Sequence, residues 1–99
     1  MNDSLSHEPR TLKSLLGDLI AKHGWEDKVT EVELKKYWKD VVGDRIAKVA
    51  KAAKVINGEL FIETQSSTWR VELMLRRENL KEQLNKLIGK EYIKIITIR

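Results

Sequence analysis

"QSSTWRVELMLRRENLKEQLNKLIGK", residues 65–90, reads in two ways, and the fold turns on which one holds. Trp69, Val71, Leu73 and Leu75 alternate with Arg70 and Glu72, as the faces of a half-buried strand do. Against this, Ser66 or Ser67 is a good N-cap, and the Leu, Met, Glu and Arg that follow are strong helix formers. Further on, Leu73, Leu80, Leu84, Leu87 and Ile88 share one helical stripe. Length arbitrates: a periodic run of about 20 residues ending at Gly89 is too long for a strand and suits a long helix. A break near Arg77–Asn79 stays open, because Asn79 and Glu82 have the spacing of a second cap.

Just upstream, "KVINGELFIET", residues 54–64, reads as a β-hairpin. Asn57-Gly58 supplies the two positive-φ residues that a type I′ turn requires, and a two-residue loop pairs Val55 with Leu60. Leu60, Ile62 and Thr64 alternate against Phe61, Glu63 and Gln65. "YIKIITIR", residues 92–99, is short and β-branched, so a final strand is expected there.

Two helices are expected before the hairpin. In "TLKSLLGDLIAKHG", residues 11–24, Leu12, Leu15, Leu16, Leu19 and Ile20 form one apolar stripe, with Gly24 as a C-terminal stop. A second helix is expected to open at Thr30 with Glu33 in the capping-box position. Its apolar face runs through Leu34, Trp38, Val41, Val42, Ile46 and Val49, with a kink or break at Gly43. The expectation is an α+β domain over residues 11–99, after a flexible leader at 1–10. Two N-terminal helices, a β-hairpin, a long helix and a final strand would build a small three-stranded antiparallel sheet covered on one face.

A single domain of 99 residues buries about two-thirds of the surface its unfolded chain exposes, enough for one core. Without cysteine, neither a disulfide framework nor a thiolate metal site is available. "MNDSLSHEPR" lacks the apolar region of a secretory signal, and no run approaches a membrane span. A cytoplasmic protein without membrane contact is expected.

Catalytic chemistry finds no constellation. His7 lies in the leader and His23 at a helix end; no Ser or Thr stands in a nucleophile motif; the five glycines are isolated, so there is no P-loop. Asp40 and Asp44 sit at i, i+4, but Lys36 and Lys48 lie four residues outside them, so surface ion pairs explain them best. No enzyme, no metal and no cofactor are expected.

Charge is more informative. Lys plus Arg number 19 against 15 Asp plus Glu, a net +4. In "RIAKVAKAAKVING", residues 45–58, Arg45, Lys48, Lys51 and Lys54 recur every three residues with no acid between them. Such a row suits a phosphate backbone; equally, cations favour a helix C-terminus and keep an edge strand soluble. Arg70, Arg76, Arg77 and Lys81 form a second basic group, expected with Arg45, Lys48, Lys51 and Lys54 to bind DNA, in which Arg76 either snorkels beside the apolar stripe or faces a partner. Of the three tryptophans, Trp38 and Trp69 read as core anchors and Trp25 as partly exposed.

Together, "YWKDVVGDRIA" (37–47), "NGELFIET" (57–64) and "SSTWRVEL" (66–73), followed by a leucine-spaced helix and a terminal strand, resemble the DciA family over residues 12–99. The residues carrying the resemblance are Trp38, Val42-Gly43, Gly58-x-Leu60, Ser67-x-Trp69 and Leu73, with Trp38, Gly43, Gly58, Leu60, Trp69 and Leu73 expected to anchor the fold. The family comprises bacterial accessory proteins that assist loading of the DnaB-type replicative helicase, long catalogued as a domain of unknown function. The resemblance implies a KH-like fold, binding of single- or double-stranded DNA, and contact with the helicase without nucleotide hydrolysis. The GxxG loop by which KH domains grip nucleotides has no counterpart here. Two other readings are weighed: a protein–protein adaptor without nucleic-acid affinity, and an RNA-binding KH-like protein.

Overall fold

A computed structural model of the chain describes residues 11–99. The leader expected over 1–10, with His7, lies outside the described residues. In chain order the elements are α1 (Leu12–His23), α2 (Glu26–Val49), β1 (Ala50–Ile56), β2 (Glu59–Thr64), α3 (Ser67–Leu75), α4 (Arg77–Ile88) and β3 (Ile95–Ile98). The architecture is α+β around one three-stranded sheet in the order β1-β2-β3.

Residues 65–90 are helical, in two pieces. The Ser66 hydroxyl accepts the Trp69 N–H at 3.1 Å and starts α3. Arg76 (φ −101°, ψ 4°) turns the chain, and α4 begins at once at Arg77. The long helix expected from the sequence is therefore broken, and Asn79 does not cap it; its side-chain oxygen accepts from Gln83 at 2.7 Å. The corner lets Leu73 reach the core from α3 while Leu80 and Leu84 reach it from α4 against α2.

α2 starts at Glu26, a turn earlier than expected. No side chain caps it, but Glu26 and Asp27 place negative charge in its first turn, where the helix dipole favours it. Thr30 is buried inside the helix rather than capping it. Gly43, at φ 87° and ψ 164°, breaks α2 into two helical segments; that left-handed value suits glycine.

The hairpin turns on Asn57 (φ 49°) and Gly58 (φ 80°), with Val55 opposite Leu60. A Cβ on Gly58 would also stand 2.9 Å from the Tyr92 carbonyl oxygen, so this turn needs glycine twice over. β3 runs parallel to β2, pairing Leu60 with Ile96 and Ile62 with Ile98. The sheet is thus mixed rather than antiparallel, because the chain crosses from β2 to β3 through α3 and α4, a connection that returns a strand in the same direction.

One face of the sheet buries Ala50, Ala52, Val55, Leu60, Ile62, Ile96 and Ile98 beneath the helices, with Leu34, Trp38 and Ile46 of α2 above them. The Trp38 indole N–H donates to the Ala50 carbonyl at 2.8 Å, satisfying its one polar atom inside the core. Buried Asn85 grips Ile93 from both sides: its amide donates to the Ile93 carbonyl at 2.9 Å, and its oxygen accepts the Ile93 N–H at 2.8 Å. α1, capped by Thr11 and ended by Gly24 in the left-handed conformation, buries no residue. Leu12, Leu15, Leu16 and Leu19 stay on its exposed stripe, and the molecule is drawn out to 60 × 23 × 20 Å.

Candidate nucleic-acid interface

The other face of the sheet carries no helix. Lys51 and Lys54 are three residues apart, so regular alternation would send them to opposite faces. A bulge between Ala52 and Lys54 inserts one residue, after which Lys51 pairs opposite Glu63 and Lys54 opposite Phe61. Glu63 and Phe61 are two apart on β2, so both lysines stand on the outward face. The i+3 spacing that suggests a helical row is realised on a strand.

At the open end of this face lies a cleft of about 840 Å³, lined by Lys48 from the end of α2, Lys51, Glu63, Ser66 and Arg99. Glu63, its one acid, sits 3.4 Å from the Arg99 guanidinium. Behind the rim, Arg70 donates to the Thr64 carbonyl at 2.8 Å, and the Arg45 guanidinium lies 5.8 Å over the Trp69 ring. Trp69 is half-buried and packs on the core, so the ring beneath Arg45 is fixed. Lys48 and Lys51 thus line the cleft, Arg45 and Arg70 lie behind it, and Lys54 stands farther along the outward face.

Arg76, Arg77 and Lys81 do not join them. Arg76 is exposed and forms a two-pronged bond to Glu72, at 3.2 and 2.9 Å. Lys81 pairs with Glu78 at 3.1 Å, and Arg77 borders a separate groove with Met74 and β3. These cations decorate the α3–α4 corner.

Sequence reasoning passed over Phe61 and Arg99. Phe61 points outward, half-buried, and the Arg99 guanidinium covers its ring at 4.4 Å. In a strand whose alternation fits either face, only the pairing with Lys54 and Thr97 fixes which side Phe61 takes.

Away from this face, the turn is pinned to α2. The Asp27 carboxylate accepts the Asn57 N–H at 2.8 Å and the Tyr92 hydroxyl, while Glu31 accepts the Val55 N–H at 3.1 Å. Burial alone would raise the Asp27 pKa, but the hydrogen bonds from Tyr92, Asn57 and Gly58 outweigh it and hold the carboxyl below its usual 3.8. Burial first, and then Asp27, push the Tyr92 phenol well above its ordinary value.

The residues weighed for catalysis are not assembled. Asp44 pairs with Lys39 at 3.4 Å rather than with Lys48, since the break at Gly43 takes it out of helical register. His23 stacks on half-exposed Trp25 at 4.6 Å. Among the described residues, no group of three or more His, Asp or Glu side chains is gathered to hold a metal ion. Nor is any helix there long and apolar enough to cross a membrane.

Comparison with known proteins adds to this geometry. The family model described as "Dna[CI] antecedent, DciA" matches residues 11–98. The chain is 27% identical over 84 residues to a UPF0232 protein of Mycolicibacterium smegmatis, covering 85% of this chain and 43% of the relative. It is 29% identical over 84 residues to one of Mycobacterium ulcerans, covering 85% and 45%. With one of Mycobacterium tuberculosis it shares 25% identity over 91 residues, covering 92% and 49%. The chain thus spans about half the length of the curated relatives it matches. With the family match running from the first turn of α1 to the end of β3, the chain belongs to the DciA family.

Proposed function

We propose that this protein is a non-enzymatic DNA-binding accessory of replication initiation that assists loading of a DnaB-type helicase. The observation that carries the reading is that Lys48, Lys51 and Arg99 line one cleft, with Arg70 bonded to the Thr64 carbonyl behind it and Lys54 farther along the open sheet face. Cations on separate elements gathered beside a groove suit a phosphate backbone. The DciA-family match supports the helicase partner, and the absence of a P-loop from the sequence fits an accessory that leaves hydrolysis to others. The α+β order fits a KH-like fold without the GxxG grip, so side chains of the sheet and cleft take over phosphate contact. Arg76, Arg77 and Lys81 form a second patch that adds long-range attraction only.

Fluorescence anisotropy with labelled DNA at several salt concentrations tests this. Log affinity should fall with log salt by roughly 0.9 per phosphate contact on duplex and 0.7 on single strands. The absence of binding at low salt would refute it.

A second reading, a protein–protein adaptor, is favoured by one observation: among the described residues the apolar stripe of α1 buries no side chain, with Leu12 and Leu16 more than half exposed. The two readings are compatible, the sheet holding DNA and α1 offering a surface to protein. Binding to the isolated helicase that vanishes on Leu12→Ser/Leu16→Ser, with DNA affinity unchanged, would assign α1 that role.

A further inference from the structure

The outward face of the sheet is more apolar than a solvent face requires. Ile56 and Ile95 are more than half exposed, and Phe61 stands between their strands on β2. Cations surround that ring: Arg99 lies over it at 4.4 Å, Lys54 is its direct cross-strand partner, and Lys51 follows along β1. The acids on this face are already engaged. Glu63 faces Lys51 and pairs with Arg99, and Glu59 accepts the Thr97 hydroxyl. Lys51 and Lys54 share this side only because of the bulge at Ala52/Lys54.

An aromatic ring under a guanidinium, with ammonium groups a strand away, matches the chemistry of an unpaired nucleotide. The base stacks on a ring or on a guanidinium plane, and its phosphates meet the cations. A base pair inside a duplex keeps both faces stacked and has none to offer. We propose that Phe61 and Arg99 form the seat for one unpaired base, with Lys51 and Lys54 holding the flanking phosphates. The inference rests on the nucleic-acid reading above and assigns it two residues and a preference for unpaired bases at this spot.

Phe61 is the only phenylalanine in the chain, which makes the test direct. Protein carrying 4-fluorophenylalanine gives one fluorine resonance, reporting on this ring alone. Titration with a short thymidine oligonucleotide should shift that resonance, while a duplex of equal length and inorganic polyphosphate should leave it in place. In parallel, Phe61→Leu, which keeps an apolar side chain on the strand, should weaken oligonucleotide binding at least about fivefold by anisotropy. Its duplex affinity and salt slope should match those of the parent, and its circular dichroism should show the same fold. An oligonucleotide that binds without moving the resonance, with Phe61→Leu binding as tightly as the parent, overturns the seat and leaves the proposed function standing. A duplex that shifts the resonance as much as the single strand also overturns it. No binding of any nucleic acid removes the seat and the proposed function together.

Discussion

The two faces of the sheet are made from the same three strands and obey opposite rules. Inward, Leu60, Ile62, Ile96 and Ile98 are buried under the helices, and each is set by packing volume. Outward, Lys51, Lys54 and Arg99 are exposed, where stability constrains little, and Phe61 lies half-buried under the Arg99 guanidinium. A cation row and an aromatic ring on that second face owe nothing to the core. The contrast teaches that stability and ligand affinity are separable here, residue by residue along the same strand.

The largest test of the contrast is on the inward face. Ile62→Ala, at a fully buried position, should destabilise the domain by about 2–5 kcal/mol in urea unfolding, from lost burial and the cavity left behind. A loss near zero would mean the core can close over the gap and the face is not closely packed.

Next comes the tether of β3. Asn85→Leu leaves the N–H and carbonyl of Ile93 buried without partners, and about 2–4 kcal/mol should be lost. Unfolding midpoints check this; an unchanged midpoint would mean that water replaces both bonds.

Asp27→Asn is expected to cost about 1–2 kcal/mol at neutral pH, by weakening bonds to the turn and Tyr92. Because the folded pKa of Asp27 is depressed, its stabilisation is present above the usual carboxylate value of 3.8 and lost as pH falls through the lower folded value. The parent should therefore lose stability on acidification below about pH 4 more steeply than the variant. Parallel pH profiles would contradict this.

The smallest expected effect on stability lies outward. Lys54→Gln should change unfolding free energy by less than about 0.5 kcal/mol. The same variant should weaken DNA binding several-fold and make the salt slope shallower by about one contact.

How far the sequence reveals this division depends on the range of the interactions. The hairpin is legible because Asn57-Gly58 encodes its own φ angles, and the interruption at Gly43 because a glycine marks it. The α3 cap is legible because Ser66 acts on a residue three away. The start of α2 is not, since the partners of Asp27 and Glu31 lie 24 to 65 residues off and Thr30 is drawn into the core. The break at Arg76 is not, because no glycine or proline stands there as a signal; the parallel course of β3 follows from the helical crossover between β2 and β3. Within the site, the row Arg45, Lys48, Lys51 and Lys54 is visible, but the common face of Lys51 and Lys54 depends on a bulge between Ala52 and Lys54. Arg99 and Phe61 come together only through strand pairing. Arg76, Arg77 and Lys81 look equivalent to the row in sequence and lie on another surface in space.

That last pair of groups supplies the most direct test. Lys48→Glu/Lys51→Glu/Lys54→Glu and Arg76→Glu/Arg77→Glu/Lys81→Glu change the net charge equally, so anisotropy over one matched series of salt concentrations compares place alone. The account predicts that the first variant loses at least about tenfold more affinity for DNA than the second, with three phosphate contacts removed from its salt slope. Equal losses would mean that DNA senses only overall charge, and the assignment of the cleft and outward sheet face would fall.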